Sequence, residues 1–261
     1  MKKTIKKVLR TIKNSIPVSV RRPIVICCQN WMLAYQISRI EGNEKLFDVL
    51  RELNENAQKR NIEFSSVYDY GFYVYNRYHS AISALHILPT IFTAVPHDSI
   101  IDFGCGTGTW LWVAQKLGAK EITGLDGEYV PKSLLMIPES SFHAVNLQKP
   151  VGLPKKYDLA ISMEVGEHLP ETSADSFVDS ISASSDVVLF SAAHPGQGGD
   201  DHINEQPIEY WIEKFRKKDY LPIEIKKLFS EDQQICSWYR QNIILFVKSP
   251  RFNEIIKKIG V

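Results

Sequence analysis

Between Ser99 and Asp126 the chain reads SIIDFGCGTGTWLWVAQKLGAKEITGLD, and few folds accept that order of residues. An apolar run, Ile100-Ile101, ends in Asp102, and glycines follow at alternate positions: Gly104, Gly106 and Gly108. Trp110 to Leu117 then reads as an amphipathic helix closed by Gly118, and Glu121 to Leu125 as a second strand ending in Asp126. Strand, glycine loop, helix, strand and acid form the opening half of a doubly wound α/β sheet. The loop glycines let the backbone turn tightly and approach a ligand closely. The helix that follows aims its free N–H groups at that ligand.

An acid 18 residues after the last glycine sits where it can accept hydrogen bonds from both hydroxyls of a ribose, so a nucleoside-type cofactor is expected here. Nicotinamide sites read G-x-G-x-x-G. This loop reads D-x-G-x-G-x-G, with an acid ahead of the first glycine. It resembles motif I of the class I S-adenosylmethionine-dependent methyltransferases. That resemblance implies that Asp102, Gly104, Cys105 and Gly106 hold the methionine end of the cofactor, and that Asp126, with its neighbour Gly127, holds the ribose. Electrostatics agrees, because an acid would repel a diphosphate but favours an ammonium and a sulfonium. The resemblance further implies a Rossmann-like doubly wound sheet of seven strands whose last strand is antiparallel.

The 261 residues suit one domain with an addition. Residues 1–40 hold nine Lys or Arg and no acid, which leaves 22 basic against 30 acidic groups in the other 221, a net of −8. That balance speaks against a nucleic-acid partner for the main domain. Cys27, Cys28, Cys105 and Cys236 form neither a disulfide ladder nor a zinc pattern, and no secretory signal is evident, so a cytoplasmic setting is expected. Residues 1–64 are read as a basic helical extension and 65–261 as the catalytic domain. Ile5, Leu9, Ile12 and Ile16 give the extension an apolar stripe beside a basic face, which suits packing on the domain, or a contact through residues 1–22 with an anionic membrane surface or a partner, whether protein or nucleic acid.

Further along, the tyrosine-rich run SSVYDYGFYVYNRYH precedes motif I. By the resemblance this segment covers the cofactor and lines the acceptor pocket, which makes Tyr70, Tyr75 and Arg77 candidate contacts. Phe142 to Leu147 reads as the third strand, and the resemblance places Asn146 and Leu147 beside the adenine. Tyr157 to Met163 and Asp186 to Ala193 read as buried parallel strands. Residues 172–184 form the helix between them, with Thr172 or Ser173 as its cap. A helix runs from Pro207 to Lys218, and two strands, Ile223 to Phe229 and Ile235 to Val247, close the chain.

Polar groups gather where two strands end: Glu164, Glu167 and His168 after the fourth, then His194, Asp201, His202, Asn204, Glu205 and Gln206 after the fifth. The E-x-x-E-H string with a later histidine is similar to the metal-binding pattern of small-RNA 2′-O-methyltransferases and ubiquinone-pathway O-methyltransferases. That resemblance implies that Glu164, Glu167, His168 and His202, with His194 as the alternative fourth ligand, hold a divalent cation, and a mixed oxygen and nitrogen set suits magnesium, manganese or zinc. Spacings of three and four put the first three on one face of a helical turn. Glu164 also counts among the cofactor contacts. Without a metal, the string simply caps the strand and starts a helix, and His202, His194 or His168 acts as general base. His79, His86, His97 and His143 are read as structural. The segments GGDDHINEQPIEYW and WYRQNIILFV resemble bacterial methyltransferases of glycan, capsule and lipopolysaccharide pathways.

The expectation is therefore an S-adenosylmethionine-dependent O-methyltransferase acting on a polar small molecule such as a sugar, nucleotide-sugar or phosphorylated intermediate. Its rivals are an RNA methyltransferase and a catalytically idle cofactor-binding scaffold.

Overall fold

The computed structural model describes residues 70–261. The basic extension 1–64, its contact segment 1–22 and the side chains of Tyr70 and Tyr75 lie outside the described residues. The chain divides into two compact units, Met1–Tyr78 and His79–Val261. The first described helix, α1 (Tyr70–Phe92), runs across that division. The second unit is built on seven strands: β1 (Ser99–Phe103), β2 (Glu121–Asp126), β3 (Phe142–Ala144), β4 (Leu159–Met163), β5 (Val187–Ser191), β6 (Tyr220–Ile223) and β7 (Ile244–Lys248). They form one sheet in the order β3-β2-β1-β4-β5-β7-β6. β1 to β5 pair in parallel, while β7 runs antiparallel to both β5 and β6.

Every residue of β4 and β5 is buried, as expected of central strands covered on both faces. Along β1, Ile101 and Phe103 enter a core shared with Phe177 and Ile181 of α3 (Ala174–Ser184) and with Trp211 and Phe215 of α4 (Ile208–Arg216). Strand alternation turns Ile100 and Asp102 to the opposite face. There Gly124 of β2 lies against Leu111 of α2 (Thr109–Lys116). Helices thus cover both faces, and the sheet expected from the sequence is the one observed. Phe246 of β7 is fully buried and stacks on Phe215 with ring centroids 4.0 Å apart. Truncating Phe246 to alanine should cost about 3–5 kcal/mol, read as a lower urea midpoint with an unchanged slope.

The third strand stops at Ala144, two residues before Asn146. The expected cap on α3 is not made: a short turn, Glu171–Ser173, leads into the helix, and neither side chain caps it. The closing strands need correction. The first is Tyr220–Ile223, and Lys226–Phe229 is instead a helical turn, α5. Ser237–Asn242 is helix α6, so the last strand begins only at Ile244. A helix, α7 (Ser249–Ile259), then closes the chain and packs on the two final strands.

Candidate active site

The parallel strands all deliver their C-terminal ends to one edge of the sheet, and the candidate residues stand along it. The loop after β1 is shaped by three left-handed glycines, Gly104, Gly106 and Gly108. The amides of Gly104 and Cys105 both donate to the carbonyl of Leu125, at 2.8 and 3.1 Å, which fastens the loop to β2. A Cβ on Gly104 would stand 2.8 Å from Val165 Cγ1 and closer still to Cγ2, so no side chain fits there. A Cβ on Gly106 would meet no protein atom within 4 Å. That gap lies beside Asp126, whose Oδ2 accepts the Gly106 amide at 2.6 Å. The other oxygen accepts from the Gly127 amide at 2.7 Å and the Tyr129 hydroxyl at 2.6 Å.

Asp102 is only 2% exposed. Burial first, and then the charge of Asp126, push its carboxyl well above the usual carboxylate range. Burial also raises Asp126, against the lowering effect of its three hydrogen-bond donors. Two buried acids beside an open backbone cradle suit a cationic group. A diphosphate would add like charge to a place already short of positive partners. The residues therefore fit S-adenosylmethionine, which carries an ammonium and a sulfonium.

The pH dependence has a definite sign. An ammonium group held by Asp102 would need the ionised carboxyl, so affinity for S-adenosylhomocysteine should then fall on acidification, starting at a higher pH than an ordinary aspartate would give. Asp102→Asn should flatten that profile and weaken binding roughly 10- to 150-fold at neutral pH, equivalent to about 1.5–3 kcal/mol for a charge-assisted hydrogen bond. In the ligand-free protein the native state holds this proton more tightly than the unfolded chain. Its contribution to folding stability therefore declines as pH rises from the ordinary aspartate range through the raised one.

The second cluster follows β4. Glu164 leaves the strand in a left-handed conformation, φ 56°, with its amide donating to Ser191 Oγ at 3.0 Å. Its Oε2 accepts Gln197 Nε2 at 2.9 Å, and Asn242 Nδ2 reaches its two oxygens at 3.1 and 3.3 Å. The short turn Gly166–His168 comes next and rests on Trp211, whose ring would stand 2.6 Å from a Cβ on Gly166. Glu167 on this turn has no exposed surface, and neither of its carboxyl oxygens has a hydrogen-bond partner. Burial, with the nearby Glu164 charge as a second cause, raises its carboxyl well above the usual range. His168 Nδ1 is likewise buried without a partner. Glu167, His168 and His202 offer ligand atoms all within 4.8 Å of one another.

His202 arrives on the loop after β5. Its Nδ1 pairs with Glu205 Oε1 at 2.9 Å, which leaves Nε2 for other work. Glu205 also accepts the amides of Gly196 and Gly198 at 2.7 and 2.8 Å, and these three partners lower its carboxyl. The loop is pinned a second time where the Ile203 and Asn204 amides donate to the Glu167 carbonyl, at 2.9 and 3.0 Å. Gly199 faces the His202 ring so closely that a Cβ there would stand 2.5 Å from Cε1.

The structure thus brings Glu167, His168 and His202 together, and Asp102, Gly104, Cys105, Gly106, Asp126 and Gly127 around the glycine loop. Glu164 stands beside the first group but is engaged by two amides. His194 is exposed, with Nδ1 on the Pro195 carbonyl, outside the cluster. Asn146 is exposed and uses Oδ1 to accept the Gln148 amide, while Leu147 is buried. Tyr70 opens α1, and Arg77 is buried on the same helix. Three residues escaped the sequence reading. Tyr129, three positions after Asp126, was the accessible one; Gln197 and Asn242 as partners of Glu164 had no local signal.

A methyltransferase-domain family matches residues 45–233. No curated protein sequence matches the chain. Among solved structures, DesVI of Streptomyces venezuelae aligns with a TM-score of 0.52 at 15% identity, over 72% of this chain and 100% of that one. The magnesium protoporphyrin IX methyltransferase ChlM of Synechocystis PCC 6803, solved with bound S-adenosylmethionine, gives 0.50 at 16% identity, over 83% and 97%. The sugar N-methyltransferase KedS8 of Streptoalloteichus sp ATCC 53650 gives 0.50 at 10% identity, over 72% and 98%. At these identities the likeness is one of fold.

Proposed function

The chain belongs to the methyltransferase-domain family and is an S-adenosylmethionine-dependent methyltransferase, and from that premise we propose that it methylates a hydroxyl of a polar small molecule beside a divalent cation. The acceptor is a sugar, nucleotide-sugar or phosphorylated intermediate of a surface-glycan pathway. S-adenosylmethionine supplies an activated methyl group whose leaving group is a neutral thioether. The protein's part is to hold donor and acceptor in line. Asp102 and the glycine loop fix the amino-acid end, and Asp126 fixes the ribose.

The observation that carries the cation is Glu167, a fully buried carboxylate with both oxygens unpartnered, next to the unpartnered Nδ1 of His168. Buried groups of this kind are costly unless something satisfies them. A carboxylate and two imidazoles suit magnesium, manganese or zinc. Glu167, His168 and His202 would hold the ion, which supplies orientation of neighbouring acceptor oxygens and a lowered hydroxyl pKa. Glu205 on Nδ1 of His202 holds that ring in place and fixes its tautomer. The same Glu205–His202 pair favours a second reading, in which no metal binds and Nε2 of His202 takes the proton from the acceptor hydroxyl. The sugar class is supported by the loop and closing motifs quoted above and by the neighbouring oxygens that such a cation orients.

Calorimetric titration of manganese into protein saturated with S-adenosylhomocysteine separates the two. Stoichiometric binding that disappears in Glu167→Ala/His202→Ala is the expected result. An athermal, unsaturable titration of the wild type would move the chemistry to His202 as general base. Turnover of S-adenosylmethionine against a panel of sugars with neighbouring hydroxyls then tests the acceptor class.

A further inference from the structure

Asp126 is the acid expected to hold the ribose, yet it is only 5% exposed and its carboxylate already accepts from Gly106, Gly127 and Tyr129. We propose that the Tyr129 phenol is a displaceable stand-in for one ribose hydroxyl, released from Asp126 when S-adenosylmethionine binds. This inference rests on the reading of Asp126 as the ribose acid.

The carboxylate sets the count. Its oxygens offer about four acceptor positions. The Gly106 amide takes one on Oδ2, at 2.6 Å, while the Gly127 amide and the Tyr129 hydroxyl take both on Oδ1, at 2.7 and 2.6 Å. About one position is left, on Oδ2. A ribose presents a pair of neighbouring hydroxyls, and donating both to Asp126 takes about two positions. One of the protein's own donors therefore has to leave. The two amides are main chain. Gly127 directly follows Asp126, and the loop ahead of Gly106 is fastened to β2 by the Gly104 and Cys105 amides on the Leu125 carbonyl. Tyr129 is a side chain with solvent on its outer side, 39% exposed. Its turn is closed by the Val130 amide on the Gly127 carbonyl at 3.2 Å, and Val130 itself is buried. The ring lies across Gly127, where a Cβ would stand 2.5 Å from Cδ1 and closer still to Cε1. Turning the Tyr129 side chain outward therefore opens Oδ1 without breaking a main-chain hydrogen bond. Without S-adenosylmethionine the phenol spares a buried carboxylate the cost of a missing donor. With it, a ribose hydroxyl takes over that task, and the displacement subtracts from the affinity.

Calorimetry of the full chain with S-adenosylhomocysteine and with its 2′-deoxy and 3′-deoxy analogues tests the exchange. Tyr129→Phe keeps the ring over Gly127 and removes only the hydroxyl. The Tyr129 hydrogen bond also lowers the Asp126 carboxyl, so affinities are followed with pH and compared at their alkaline limit. There Tyr129→Phe should bind S-adenosylhomocysteine about threefold or more tighter than the wild type, because no phenol has to be displaced. Each deoxy analogue brings a single hydroxyl, which fits the position left on Oδ2, so it should gain little from the change. Removing a ribose hydroxyl should therefore cost more affinity in Tyr129→Phe than in the wild type, by about threefold or more. Unchanged or weaker binding of S-adenosylhomocysteine by Tyr129→Phe would overturn the proposal and make Tyr129 a fixed support of Asp126, with the ribose reading intact. A gain shared equally by the deoxy analogues would also overturn it, since the ring rather than the hydroxyl would then be responsible. A wild type that binds the 2′,3′-dideoxy analogue as tightly as S-adenosylhomocysteine would overturn the ribose reading and this inference with it. A cooperative melt of Tyr129→Phe certifies that the fold persists.

Discussion

Gly104→Ala should lose measurable S-adenosylhomocysteine binding and melt about 4–20 °C below the wild type. Two effects add. At φ 81° an L-residue sits in the left-handed region, at a cost of about 1–2 kcal/mol. The new Cβ also collides with both methyls of Val165, and overpacking of that kind costs about 1–3 kcal/mol. Valine has no flexible end to swing aside, and Val165 directly follows Glu164 at the exit of β4. The strain is therefore passed from the cofactor loop to the turn that carries Glu167 and His168. Gly106→Ala is the informative control. Its Cβ meets nothing in the protein, so the fold should survive with about 1–2 kcal/mol of backbone strain, while the space needed by the ligand is taken. A Gly104→Ala protein that melts with the wild type and binds normally would show that the loop yields where the packing says it cannot.

Glu167→Leu should do the opposite to stability while abolishing manganese binding and turnover. The leucine fills nearly the same volume and removes a buried carboxyl with no hydrogen-bond partner. Leaving a buried polar group unsatisfied costs about 1–3 kcal/mol, so the thermal midpoint of the metal-free protein should rise when it is removed. The Glu167 carbonyl, which holds Ile203 and Asn204, is unaffected by the change, so the loop that brings His202 stays anchored. A lower midpoint would mean that the carboxyl supports the fold, and the case for a ligand-binding role at this position would fall.

The glycine loop and its two acids were legible because everything that defines them is local: apolar runs, glycine spacing and an acid at each strand end. The central strands were legible because burial on both faces makes them continuously apolar. The stretch after Ile223 was misread because its isoleucines and aromatics carry high strand propensity. Its burial follows another period: Ile225 and Phe229 are four apart, and Cys236, Tyr239 and Asn242 are three apart, all buried on one helical face. The E-x-x-E-H string was read as one face of a helix, and only the φ of Glu164 breaks that reading. Gln197 and Asn242 reach Glu164 from 33 and 78 positions away, which no spacing rule could anticipate.

The reversal of β7 has a consequence for how such an enzyme can diversify. In an all-parallel sheet, every segment that enters a strand does so at the edge remote from the chemistry. Because β7 runs backwards, pairing Phe190 with Ile244, the residues leading into it arrive at the reactive edge. Helix α6 ends there, with Asn242 two positions before the strand. The stretch from 224 to 243 is therefore an insert whose two ends are fixed by β6 and β7 and whose middle belongs to neither core strand. That stretch meets the helix behind the glycine loop, where the Tyr239 ring lies edge-on to Trp110 at 5.4 Å, so a change in it reaches the reactive edge without altering the loop's own sequence.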